Sequence, residues 1–104
     1  MLRASVDTSK DSGQHPLPYC VYVLRSEKDG NLYVGYTANL IRRLKQHAKG
    51  VTQSTAYRRP LELIFCEFYL SDKDALRRER YLKTSPGKRS LKLMLRETLN
   101  PNAQ

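Results

Sequence analysis

Just beyond residue 18 the apolar positions begin with two short, dense runs. Tyr19-Cys20-Val21-Tyr22-Val23-Leu24 and Asn31-Leu32-Tyr33-Val34-Gly35-Tyr36 are rich in β-branched and aromatic side chains, with the polar turn formers Ser26-Glu27-Lys28-Asp29-Gly30 between them. That pattern predicts a β-hairpin. A connection of even length without a bulge puts Tyr22 and Tyr33 on one face of it, and an odd one separates them. The period then changes. Asn39 is a good N-cap, positions 40–49 hold no helix breaker, and Gly50 is a ready stop, so Leu40 to Lys49 reads as a helix. Spacing residues around a helical wheel gathers Leu40, Ile41, Leu44 and Ala48 into an apolar stripe, with Arg42, Lys45 and Lys49 nearly opposite. Arg43 and His47 lie one turn apart on the margin of that stripe, where a side chain points along a sheet surface into a cleft.

Val51 to Arg59 is polar and basic and ends at Pro60. Leu61 to Leu70 then predicts a long third strand, with Arg58 and Arg59 at its entry as a candidate phosphate clamp or as part of a solvated loop. Ser71 or Asp72 caps a second helix that runs to about Thr84. Its apolar face is Ala75, Leu76 and Leu82, and Glu79 falls in the middle of that face. A carboxylate there is costly unless it is paired, hydrogen-bonded or bound to a metal. Lys83, four residues on, and a nearby arginine are the candidate pairing partners. Ser85-Pro86-Gly87 breaks the helix, and Leu91, Met94, Leu95 and Thr98 suggest a final short helix that ends before Pro101. The order of elements is hairpin, helix, strand, two helices, an α+β arrangement.

At 104 residues the chain has room for one domain with one modest core. Residues 1–17 lack the apolar stretch of a secretory signal and are expected to be a disordered tail; 18–98 are expected to be the folded domain and 99–104 a second tail. No apolar run reaches the ~18 residues a membrane helix needs, so a cytoplasmic protein with no membrane partner is expected. The formal charge of +9 falls on residues 19–104, because Arg3 and Lys10 cancel Asp7 and Asp11 in the preceding stretch. Such a field attracts polyanions, of which nucleic acid is the commonest. Cys20 and Cys66 sit in strand-like runs without metal-ligand spacing and read as reduced core residues.

The polar residues that these elements bring together suit phosphodiester hydrolysis. That reaction needs an in-line water, a group to take its proton, and stabilisation of charge on the phosphate. Arg43 supplies a permanent cation, and Glu79 a single carboxylate of the kind that holds a mostly hydrated divalent ion such as magnesium. Tyr22 and Tyr33 are candidates to position water and phosphate, and one of them to act as base. A free tyrosine is only about 0.1% phenolate at neutral pH, so the site's cations, Arg43, Lys83 and the metal, are expected to depress its pKa.

Cys20-Val21-Tyr22, Tyr33-Val34-Gly35 and the helix Asn39-Leu40-Ile41-Arg42-Arg43-Leu44-Lys45-Gln46-His47 resemble the signature of the GIY-YIG nuclease superfamily. The likeness continues through Arg58-Arg59-Pro60 and Ala75-Leu76-Arg77-Arg78-Glu79, covers roughly residues 18–98, and is greatest to the small single-domain bacterial branch. It implies a three-stranded antiparallel sheet flanked by helices. It implies that Tyr22 and Tyr33 are the active-site tyrosines, Arg43 the phosphate-binding arginine, Glu79 the ligand of Mg2+ or Mn2+, and His47 a further catalytic residue. Cys20 stands where the signature has its first glycine, which removes backbone freedom and no reacting group. The expected activity is a metal-dependent DNA endonuclease, structure-specific or linked to repair. Nucleic acid is expected to be gripped by Arg42, Lys45, Arg58, Arg59, Arg77 and Lys83. Targeting is then left to those basic faces, to a homodimer or to a partner protein. The alternative is a module that binds DNA or RNA on the same fold without cutting it.

Overall fold

The computed structural model describes residues 15–102, so the first fourteen residues of the expected amino-terminal tail lie outside the described part. The hairpin pairs β1 (Tyr19–Ser26) with β2 (Leu32–Thr37), and β3 (Leu61–Tyr69) runs antiparallel along the other side of β1, giving the order β2-β1-β3. The central position of β1 accounts for its unbroken apolar sequence. A strand covered on both faces has no solvent side on which to place polar residues, and Cys20 to Leu24 are all buried.

The connection has the parity that keeps the tyrosines together. Tyr22 faces Gly35 and Tyr33 faces Leu24, so the two sit diagonally on one face of the hairpin. Ser26 holds the turn. Its buried hydroxyl accepts from the backbone N–H groups of Lys28 and Asp29 and donates to the Arg58 carbonyl at 2.7 Å. Gly30 takes the left-handed conformation that the reversal requires, with φ 76°. Between β1 and β3 the register slips once, opposite Val23 and Leu24, as a bulge.

Helix α1 (Leu40–Lys49) packs on the face carrying Cys20, Tyr22 and Leu24. Asn39 accepts from the Arg42 N–H at its start, and Gly50 ends it in the left-handed conformation. The buried face is rotated from the expected stripe. Leu40 and Leu44 pack inward, whereas Ile41 and Ala48 are exposed, and His47 is the buried residue of the helix. The margin position thus lies inside, because Tyr22 and a residue beyond the helix offer the ring polar partners there.

The opposite face carries Val21, Val23 and Val34. It is covered by α2 (Asp72–Leu82) and α3 (Ser85–Met94), whose Ala75, Leu82 and Leu91 complete a second apolar cluster with Leu95. Ser71 caps α2 as expected, and Asp72 and Asp74 in its first turn complement the helix dipole. Ser85-Pro86-Gly87 ends α2 and also begins α3: Thr84 accepts from the Gly87 N–H, and proline is at home in a first turn. The final helix therefore starts earlier than its apolar residues alone suggest, and α4 (Arg96–Leu99) follows as a single turn. Cys20 and Cys66 are free thiols, the first fully buried. No helix among the described residues is long and apolar enough to cross a membrane.

Candidate active site

Tyr22 lies in the middle of β1 with its ring over Gly35 of the neighbouring strand. A methyl group built onto Gly35 would come within 2.4 Å of both Cζ and Oη of that ring. The glycine of Tyr33-Val34-Gly35 is therefore the floor on which Tyr22 rests. From there the Tyr22 hydroxyl reaches His47 Nε2 at 2.7 Å and accepts a longer bond from Arg43 Nε at 3.4 Å. Helix geometry delivers these two partners together, since residues four apart share a face. His47 closes a triangle of rings, with centroids 5.6 Å from Tyr22 and 5.4 Å from Tyr33, while the tyrosines stand 6.4 Å apart. Its other nitrogen, Nδ1, lies 2.8 Å from Thr55 Oγ1. Arg43 is steadied by Nη1 donating to Gln46 Oε1 at 3.0 Å.

The electrostatics follow from burial. Tyr22 is wholly enclosed, and that desolvation pushes its hydroxyl up to about 12 even though the bond from Arg43 pulls the other way. Tyr22 is a neutral phenol at physiological pH. One long hydrogen bond from Arg43 does not offset that loss of water, so Arg43 by itself does not depress the Tyr22 hydroxyl. His47 shifts downward, first by burial and second by the charge on Arg43, so its ring is neutral as well. Arg43 is held above its ordinary range chiefly by its bond to Tyr22.

Helix α2 lies over the far face of the sheet, and Lys83 at its end approaches Tyr33 at the open β2 edge. Glu79 Oε2 pairs with Lys83 Nζ at 2.6 Å, and that ammonium stands 6.0 Å from the centroid of the Tyr33 ring. The Glu79 side chain retains 16% of its exposure and that of Lys83 49%, so the carboxylate is half-sheltered and its cation covers it. No group of three or more His, Cys, Asp and Glu side chains gathers among the described residues. The donor set at this edge is one carboxylate, which fits a hard, largely hydrated ion that keeps most of its waters and does not fit a caged ion such as zinc.

Residues 18–92 match the family model described as the GIY-YIG catalytic domain. The chain belongs to the GIY-YIG family. It is also similar to UPF0213 proteins of Staphylococcus saprophyticus and Staphylococcus haemolyticus, at 35% and 37% identity over 75 residues, in each case 71% of this chain and 90% of the relative. A UPF0213 protein of Staphylococcus aureus is 35% identical over the same length and shares. The α+β fold with its three antiparallel strands is that of a GIY-YIG domain.

Within this GIY-YIG domain Tyr22, Tyr33, Arg43 and His47 form one connected cluster, and Glu79 joins it through Lys83. The residues expected to grip nucleic acid divide into two sets. Arg42 and Lys45 are exposed on the outer side of α1, and Arg77 is exposed with its guanidinium on Asp74 at 3.0 Å. Arg58 and Arg59 are tied into the fold. Arg58 lies 3.9 Å from Asp29 with 15% of its side chain exposed, and Arg59 donates to the carbonyls of Ala56 and Ala48, closing the end of α1. A methyl on Gly50 would meet that Arg59 guanidinium at 2.6 Å. Sequence reasoning leaves out Thr55, Gln46 and the role of Gly35. Gln46 carries a signal, three residues from Arg43 on the same helix, whereas Thr55 lies in an irregular stretch with no period to mark it.

Proposed function

We propose that this chain is a divalent-metal-dependent endonuclease that hydrolyses DNA phosphodiester bonds. The observation that supports it is the convergence of an arginine, a neutral histidine and two tyrosines in one cluster of hydrogen bonds and edge-on or tilted rings, with a carboxylate at its edge. Arg43 is the phosphate ligand, a fixed fork that stays charged throughout turnover. Tyr33, half-buried where Tyr22 is enclosed, is the tyrosine able to touch substrate and to orient the attacking water. Tyr22 works from behind, holding Arg43 in place. Glu79 would hold Mg2+ or Mn2+ once Lys83 has turned away, and that ion supplies stabilisation of charge on the phosphate and the leaving oxygen. Lys83, so released, would be free to pair with a phosphate of the substrate.

The test is a cleavage screen of the full chain over duplex, single-stranded, flap and junction DNA and over RNA, with Mg2+, with Mn2+ and with EDTA. Metal-dependent nicking that disappears in Arg43→Ala and Glu79→Gln is the expected result. Equal nicking by the wild type, both variants and Tyr22→Phe would assign the activity to a contaminant and end the nuclease reading.

A second reading, a module that binds nucleic acid without cutting it, draws support from the Glu79–Lys83 pair, which satisfies the carboxylate without any metal. It predicts binding that is undiminished in EDTA and no Mn2+ binding at Glu79.

A further inference from the structure

We propose that Thr55 is a positioning residue that sets the direction of the hydrogen bonds running through His47 to Tyr22. The consequence for catalysis rests on the nuclease reading; the arrangement itself does not. Tyr22, His47 and Thr55 are all buried, at 0%, 1% and 0% exposure, so water does not serve as a stand-in partner for any of them. The bonds are 2.7 Å from the Tyr22 hydroxyl to Nε2 and 2.8 Å from Nδ1 to Thr55 Oγ1. A neutral imidazole carries one N–H and one lone pair, so the two bonds must run in the same sense along the chain.

Two senses are available. In one, Tyr22 donates to Nε2 and Nδ1–H donates to Thr55. In the other, Thr55 donates to Nδ1 and Nε2–H donates to Tyr22. A phenol is far more acidic than an aliphatic alcohol, so Tyr22 is the stronger donor to a ring nitrogen. The first sense prevails, and it needs a buried acceptor at Nδ1. Thr55 is that acceptor.

The outcome decides what Tyr22 offers to the site. With its proton committed to His47, the Tyr22 oxygen presents lone pairs to Arg43, consistent with the bond it accepts from Arg43 Nε. It acts as an anchor for the guanidinium and as an acceptor for any donor beside it. If the sense is reversed, the phenolic proton turns toward Arg43, donor faces donor, and the arginine loses its anchor. Replacing Thr55 by valine keeps the shape and removes the acceptor, leaving a buried Nδ1–H unpaired unless the ring changes tautomer.

The tautomer can be read directly by long-range 1H–15N correlation of the ring in 15N-labelled full-length protein near neutral pH, with His47→Gln to assign the signals. Wild type and Thr55→Ser are expected to carry the proton on Nδ1, and Thr55→Val on Nε2. A wild-type ring protonated on Nε2 overturns the proposal, and so does a Thr55→Val ring that keeps Nδ1–H. Should Thr55→Val not fold, wild type and Thr55→Ser still decide. Cleavage with Mn2+ gives the second arm: Thr55→Val is expected to lose on the order of tenfold in kcat, with Thr55→Ser restoring it. A flipped tautomer with wild-type kcat removes Thr55 from the reaction and overturns its role. An Nδ1–H tautomer in a protein that cuts nothing instead sinks the nuclease reading while the arrangement stands.

Discussion

At the scale of single residues, the site is built on what two side chains lack. Gly35 has no Cβ, so Tyr22 can lie close over β2; the 2.4 Å contact that any side chain would make is with ring atoms pinned by His47 and Arg43. Gly35→Ala must therefore displace Tyr22, and is expected to cost about 1–3 kcal/mol, the usual penalty for overpacking, seen as a lower urea midpoint at unchanged m-value. His47 lacks a charge. Its folded-state pKa is depressed by burial and by Arg43, so the unfolded chain binds its proton more readily. The stability this ring contributes is complete above its unfolded value of about 6.5 and is lost as the pH falls from there through the folded value. His47→Gln is expected to flatten the acid side of the stability curve below about pH 6.5, measured by denaturant titration; an unchanged slope would show that the ring is not held neutral. At this scale the sequence offers Tyr22, Tyr33, Arg43 and His47: one helical turn groups Arg43 with His47, whereas the pairing of the tyrosines hangs on the parity of the connection, which the sequence leaves open. The protonation of Tyr22 and the part played by Thr55 are not legible, because both depend on enclosure by segments distant in sequence.

At the scale of elements, α2 has two tasks that compete for the same turn. Its inner face seals the second core through Leu82, fully buried against the sheet, so Leu82→Ala should cost ~2–5 kcal/mol in equilibrium unfolding. Its last turns carry Glu79 and Lys83 to the β2 edge, where they pair. The wheel makes Glu79 conspicuous because it interrupts an apolar face; what it does not give is how the face meets the sheet. Glu79 lies at the rim of the contact, and Lys83 neutralises it there. A divalent ion that binds Glu79 has to displace that ammonium. A partly exposed pair of this kind is worth up to about 1 kcal/mol, so Lys83→Met should tighten Mn2+ binding about fivefold, measured by calorimetry, and Glu79→Gln should abolish it. Equal Mn2+ affinity with and without Lys83 would mean that the ion does not use this carboxylate. The rotation of α1 teaches the same lesson. Its apolar stripe is legible, but Ile41 and Ala48 end up outside because the helix turns to seat His47 between Tyr22 and Thr55.

At the scale of the whole molecule, the charge of +9 is what composition announces, and the fold decides which cations are at liberty to use it. Arg58 and Arg59 hold the 51–60 segment against the turn and the end of α1 through Asp29, Ala56 and Ala48, whereas Arg42 and Lys45 stand exposed beside Arg43 on the outer side of α1. Loss of a phosphate contact and loss of a structural tie have different signatures. Each phosphate neutralised on duplex DNA contributes roughly −0.9 to the slope of log binding constant against log salt. Arg42→Ser with Lys45→Ser should therefore shallow that slope by about 2 in EDTA, at an unchanged melting temperature, as followed by fluorescence anisotropy with a labelled duplex. Arg59→Ala should do the reverse, lowering the melting temperature by loosening the end of α1 while leaving the salt slope of the folded protein near its wild-type value. If Arg59→Ala instead shallows the slope with full stability retained, its guanidinium leaves the Ala48 and Ala56 carbonyls to meet phosphate, and the basic entry to β3 becomes part of the DNA path.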